Sequence, residues 1–309
     1  MQTTDVTLMI RPVNFSANQQ TMESNAFQKP GAESPQEINK RAVVEFDAMV
    51  QLLRAEGIMV IVIDDTESPA TPDSIFPNNW ISFHADGTVV LYPMQAENRR
   101  LERRGDILEK LAAGDHFIET RIVDLTPFEA DDAFLEGTGS MVLDRDNKIA
   151  YACLSPRTNK TVFDKFCSEL GYGQVIFHAT GSDGTAIYHT NVMMCVGSRF
   201  ILICLESIQD QQERELVTRQ IYQSGKTLIS ISREQMNQFA GNMLELKNGF
   251  GDALLVMSSS AFEATESLHK ELSHFCKIIH TPLAVIEKNG GGSARCMIAE
   301  IHLPHVSVV

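Results

Sequence analysis

Three consecutive glycines, Gly290, Gly291 and Gly292, lead through Ser293, Ala294 and Arg295 to Cys296, and the run Met297–Ile301 then reads as a strand. Glycines let the backbone bend tightly and let a ligand approach it. A thiol between such a loop and a strand is placed for nucleophilic attack, provided that a base and a charge-binding site stand near it. Taken alone, the run also reads as a buried cysteine after a turn. Three other segments supply candidate partners. Tyr188-His189-Thr190-Asn191 opens a strand and offers His189 as a general acid or base. Phe134-Leu135-Glu136-Gly137-Thr138-Gly139-Ser140 sets a carboxylate beside two glycines, ahead of another strand, and Asp131 and Asp132 precede it. Phe76-Pro77-Asn78-Asn79-Trp80 is a Pro-Asn turn before a third strand and holds the single tryptophan.

These segments occupy matching places in a repeated pattern. After a polar stretch over 14–35, an apolar helical face (Val43, Val44, Phe46, Met49, Val50, Leu52, Leu53) is followed by a strand over 58–63. A hairpin over 80–83 and 88–92 comes next, turning at Asp86-Gly87. The cycle of helix, strand and hairpin restarts near 98, 157, 210 and 261, a period of roughly 50–60 residues, which points to a propeller-like or solenoid array. The last strand, 296–301, has no hairpin partner of its own. The spacing predicts that 6–10 pairs with it and closes a ring, leaving no exposed sheet edge. The chain then forms one α/β domain over 1–309, with the polar turns of all repeats converging on one central cavity.

Composition narrows the chemistry. The 309 residues are 43% hydrophobic, enough for a large core, and carry a net charge of −14. Nucleic acid and anionic membrane surfaces need clustered Lys and Arg, so neither is expected as a partner. A small amino-acid substrate is compatible with this charge. Six cysteines lie scattered with no C-x-x-C pair, and no metal-ligand set or cofactor motif stands out. The N-terminal residues lack the basic start and apolar core of a signal peptide, and no apolar run approaches the ~20 residues of a membrane span. The expectation is a cytoplasmic protein with reduced thiols.

Taken together, these residues resemble the guanidine-modifying, pentein-fold superfamily of arginine deiminases, agmatine deiminases, dimethylargininases and amidinotransferases. The resemblance covers essentially the whole chain and implies an α/β-propeller of five pseudo-symmetric repeats, with homodimers common among such folds. Gly290–Cys296 is similar to the nucleophile loop of that group. His189-Thr190-Asn191 is similar to its His-x-Asp segment, and Leu135-Glu136-Gly137 to its Glu-Gly-Gly element, with Thr138 departing from the third glycine. Phe76-Pro77-Asn78-Asn79 stands where the group has Phe-x-Arg-Asp. Asn79 and Asn191 therefore replace carboxylates that grip a guanidinium. An amide offers both donors and an acceptor, which matches a neutral ureido group. This, and the likeness of 76–80 and 135–140 to citrulline-utilisation hydrolases, makes citrulline hydrolysis to ornithine the leading expectation. Arginine or methylarginine deimination is the alternative, with Asp131 or Asp132 and Glu136 supplying negative charge. By the same resemblance Cys296 attacks the central carbon and His189 shuttles protons. Glu136 orients His189 or binds substrate NH groups, and Arg99, Arg157 or Arg295 pairs with the substrate carboxylate.

Overall fold

The computed structural model describes residues 1–29, 31–114 and 117–305. Fifteen strands form five three-stranded sheets. The first sheet joins β1 (Val6–Arg11) and β2 (Met59–Asp64) to the last strand, β15 (Ala299–Glu300). The others follow in chain order: β3 (Ile81–Phe83), β4 (Thr88–Leu91) and β5 (Arg121–Asp124); β6 (Met141–Asp144), β7 (Ile149–Cys153) and β8 (Gly173–Phe177); β9 (Met194–Val196), β10 (Phe200–Ile203) and β11 (Thr227–Ser230); β12 (Leu244–Lys247), β13 (Ala253–Ser258) and β14 (Lys277–Thr281). In the other four sheets the first two strands pair antiparallel and the last two parallel, and in the first sheet β1 pairs antiparallel with β15 and parallel with β2, each parallel pair being joined by a helical crossover. The predicted closure is present. Thr7 pairs with Glu300 and Leu8 with Ala299, so strands from the two ends of the chain complete one sheet.

The burial of each strand follows from its place. Middle strands such as β7 (IAYAC) and β10 (FILI) are buried along their whole length and read as unbroken apolar runs. Outer strands such as β11 and β14 are buried only in part and carry polar residues. The crossover helices are set by local signals. Ser34 and Glu37 form a capping box and Pro35 takes the first turn of the helix Pro35–Ala55, whose face of Ile38, Ala42, Phe46, Met49, Val50 and Leu53 is buried. Val44, expected on that face, is 66% exposed. The helix expected over 98–113 is two helices, Glu97–Arg100 and Gly105–Gly114, because Arg99 in the first and Glu102 after it are held in the interior. The helix expected from 157 begins at Lys160, capped by Asn159, because Arg157 is also held in the interior.

Two further differences bear on the site. Cys296 does not begin a strand. The chain from Ser293 to Ile298 is a turn, with the Cys296 N–H on the Ser293 carbonyl (3.0 Å) and the Ile298 N–H on that of Arg295 (3.3 Å). Likewise His189 precedes a short 3-10 turn, Thr190–Val192, before β9 begins. These turns swing the polar side chains from the sheets towards the axis. The early polar stretch is a covering loop with one 3-10 turn, Met22–Ser24. Among the described residues, no helix is long and apolar enough to cross a membrane.

Candidate active site

The glycine loop before Cys296 is pinned from several sides. The helix Ala284–Gly290 ends where Gly291 takes a left-handed conformation (φ 64°) and returns its N–H to the Glu287 carbonyl (2.9 Å). A side chain at Gly291 would also strike the Asn25 amide. The Tyr188 hydroxyl donates to the Gly291 carbonyl (2.5 Å), Asn25 Nδ2 to that of Gly290 (3.2 Å), and Ser293 Oγ to Glu287 Oε1 (2.6 Å). The loop therefore presents Cys296 in a buried position, 3% exposed. Its sulfur lies 3.2 Å from Asn242 Nδ2 and 3.5 Å from Asn191 Nδ2.

His189 and Glu136 face the same cavity from neighbouring repeats. His189 Nε2 is 2.8 Å from Glu136 Oε2, and both residues are buried. Burial alone would push the Glu136 carboxyl up, but Arg157, His189 and Arg99 hold it below the usual carboxylate range. An ionised carboxylate only accepts, so Nε2 carries the imidazole proton and Nδ1 is the basic nitrogen. Burial lowers the His189 pKa to about 4 against the opposing pull of Glu136, so the imidazole is neutral at neutral pH. Gly139 makes this approach feasible, since a Cβ there would collide with the His189 ring and the Asn79 amide.

A buried ionic cluster forms the other wall. Arg99 is held by both oxygens of Glu102 (2.9 and 3.0 Å) and donates to Asn79 Oδ1 (2.9 Å). Arg157 donates to Ser24 Oγ (2.7 Å) and the Thr21 carbonyl (3.0 Å), stands 3.5 Å from Glu136 Oε2, and stacks 5.0 Å from the Tyr188 ring centre. Asp73 completes the cluster. Its Oδ2 accepts from Asn18 Nδ2 (2.8 Å), while its Oδ1 is buried with no partner among the described residues. Burial raises the Asp73 pKa against the pull of Arg99, and pushes Glu102 up to about 8 against the same guanidinium. Three carboxyls, Asp73, Glu102 and Glu136, thus share two guanidiniums.

Cys296, His189, Asn79, Arg99 and Arg157 line one narrow cavity with Asp73. Glu136 joins them through His189 and Asn191 through the sulfur. Two expected residues do not. Arg295, adjacent to Cys296 in the turn, points the other way, donating to Glu300 (2.6 Å) and the Ile298 carbonyl (2.9 Å) and lining a separate small cavity. Asp132 ends the 3-10 helix Thr126–Asp131 in a left-handed conformation (φ 50°), exposed and outside the cavity, and Asp131 is exposed beside it. Asp73 and Asn242 were not foreseen. Asn242 carried a signal, since like Asn79 it stands just before the first strand of its hairpin. Asp73 carried none beyond lying in a Pro-containing loop.

The family profile for N,N dimethylarginine dimethylhydrolase of the eukaryotic type matches residues 11–303. No curated protein sequence matches the chain. Among solved structures it is similar to ArgZ, an arginine dihydrolase of the ornithine-ammonia cycle in cyanobacteria. The TM-score is 0.76 at 18% identity, over 97% of this chain and 41% of ArgZ. The chain therefore spans about two fifths of ArgZ, but the match to the N-terminal domain of ArgZ bound to substrate covers 97% of that domain (TM-score 0.75, 17% identity). A dimethylarginine dimethylaminohydrolase variant in adduct with S-methyl-L-thiocitrulline matches with a TM-score of 0.66 at 14% identity, over 96% of this chain and 99% of that one. These likenesses show the fold: five α/β repeats of the pentein type.

Proposed function

The chain belongs to the eukaryotic-type N,N dimethylarginine dimethylhydrolase family, and we propose that it is a hydrolase of non-peptide C–N bonds. From that premise we propose that it hydrolyses the guanidino group of arginine or an N-methylated arginine, through a covalent intermediate on Cys296. The observation that carries this reading is the unpartnered Oδ1 of Asp73, in a buried cluster of three carboxyls and two guanidiniums. A substrate guanidinium supplies the missing cation and N–H donors together, and a charged pair of this kind is the strong form of hydrogen bond. Relatives named for arginine and dimethylarginine support the same substrate class.

The neutral His189 takes the Cys296 thiol proton on Nδ1, the thiolate attacks the guanidinium carbon, and that proton then goes to the departing amine, ammonia or a methylamine. The thiouronium left on sulfur takes up water, whose proton returns to His189. Collapse frees the thiolate and releases citrulline. Glu136 holds the imidazole by its Nε2–H throughout, as the buried carboxylate of a catalytic triad does. Arg157, nearer the covering loop, pairs with the substrate carboxylate. Arg99 is tied to Glu102 and acts by positioning Asn79.

A second reading, citrulline hydrolysis to ornithine, is favoured by the amides. Asn79 Nδ2 is buried without a partner among the described residues, and Asn191 lies on the nucleophile. Both can donate to a ureido oxygen. Supplying arginine, methylarginines and citrulline separately, with ammonia, methylamines, citrulline and ornithine measured, tests the proposal. Citrulline accumulating from arginine or a methylarginine supports it. Ornithine from supplied citrulline, with no guanidino compound consumed, overturns it in favour of the second reading.

A further inference from the structure

The sulfur of Cys296 has two amide neighbours, and one of them, Asn242, has no place in the proton transfers above. It is fully buried. Its Nδ2 lies 3.2 Å from the Cys296 sulfur and 2.9 Å from the Asn191 carbonyl oxygen, so its two N–H groups have two separate acceptors. Its Oδ1 is 3.4 Å from the Cys296 backbone nitrogen, and its carbonyl accepts from the Arg295 N–H (3.4 Å). The side chain is therefore spent on the nucleophile and on the asparagine beside it.

The repeat accounts for this position. Asn79, Asn191, Asn242 and Cys296 each stand two or three residues ahead of the first strand of their hairpin, or of the strand that closes the ring. Gly139 stands there in the remaining repeat, where His189 and Asn79 fill the space a side chain would need. One position, repeated about the axis, thus holds the nucleophile, three amides and a gap.

We infer that Asn242 is a catalytic residue: it donates a hydrogen bond to the Cys296 sulfur and so favours the thiolate that attacks the substrate. An N–H donor binds an anionic acceptor more strongly than a neutral one. A donor already aimed at the charged atom needs no reorganisation when the charge appears. Asn191 contributes a longer contact to the same atom (3.5 Å). The inference rests on Cys296 being the nucleophile, as proposed above.

Iodoacetamide tests it without any substrate. The thiol loses its proton to solvent, the thiolate sulfur bonds to carbon, and the C–I bond breaks with release of iodide. The rate of labelling of the Cys296 peptide is followed by mass spectrometry at about pH 6.5 and about pH 9.5. Asn242→Ala is expected to lower the rate at the lower pH about ten-fold, about 1.4 kcal/mol, and the rate at the higher pH much less. Asn242→Asp keeps an acceptor for the Cys296 N–H but replaces the donor with negative charge, and lowers the rate at the lower pH further. An unchanged ratio of the two rates in both folded variants, with wild-type Cys296 labelled normally, would mean that Asn242 only shapes the loop and would overturn this inference alone. Wild-type Cys296 labelled no faster than the other five cysteines, all buried, would overturn the nucleophile assignment as well.

Discussion

Glu136 and Asp73 are both buried carboxylates in one cavity, yet they have opposite surroundings. Glu136 meets two guanidiniums and an imidazole, whereas Asp73 keeps one oxygen free. They should therefore fail differently. Glu136→Gln keeps the shape but no longer holds the His189 proton on Nε2, and kcat should fall by about 10²–10⁴ with KM little changed. Asp73→Asn removes a charge that Arg99 meets on one side and whose unpartnered oxygen is open to a cationic substrate. KM for the guanidino substrate should rise about ten-fold, the equivalent of about 1.4 kcal/mol, while binding of citrulline as a competitor stays nearly constant. Equal losses for both ligands in steady-state kinetics would remove Asp73 from substrate recognition. That Cys296, His189 and Glu136 meet was legible in sequence because a cysteine after three glycines, a histidine and a glutamate each sit before a strand. Arg295 and Asp132 were misplaced because sequence spacing does not say which way a side chain leaves a turn. Asp73 was invisible because its role depends on Asn18 and Arg99, which only the fold brings near it.

At the scale of elements, the turns before the strands are the functional units. The alternation of apolar runs and turn residues revealed the hairpins, since middle strands buried on both faces leave unbroken apolar stretches. It did not reveal that Cys296 and His189 precede their strands by a short turn, because both turns are buried and run into their strands with no Gly or Pro to mark them. Gly139 leaves no room for a side chain, since a Cβ there would meet the His189 ring and the Asn79 amide. Gly139→Ala should leave a folded protein by circular dichroism yet lower kcat at least about 100-fold, as small displacements of catalytic groups can do. Wild-type activity in that variant would mean that the His189 and Asn79 placement tolerates movement. In sequence, 14–35 before the helix Pro35–Ala55 is only a polar stretch. Its Asn18, Thr21, Ser24 and Asn25 instead bind Asp73, Arg157 and the glycine loop, long-range contacts with no local signature.

The whole molecule is a ring that concentrates buried charge near its axis, and this sets its response to acid. Burial lowers His189 and His302 to about 4 from an ordinary value of 6.5, against the pull of Glu136 and Glu300 respectively. The unfolded chain therefore takes up these protons first as pH falls, so the stability they leave intact above about pH 6.5 is lost progressively towards pH 4. Glu136, and Glu300 beside Arg295 and Arg145, are held below the usual carboxylate range despite burial, so their contribution is also lost as pH falls. Glu102, raised to about 8, and Asp73 act in the opposite sense as pH falls, so the histidine contribution is read as a difference. The wild-type urea midpoint should fall more between about pH 7 and about pH 4 than that of His302→Gln, and an equal change in both would contradict a buried, neutral His302. The five-fold pattern and its closure by 6–10 and 296–301 were readable from the period alone, because every sheet repeats one pairing scheme.

The claim on which the rest depends is that Cys296 forms a covalent bond to the carbon of a guanidino substrate. Acid-quenched wild-type protein, taken during turnover of arginine or a methylarginine and digested, should show a mass increase on the peptide containing Cys296. Cys296→Ala should show neither the increase nor product. Undiminished turnover by Cys296→Ala would contradict the account directly.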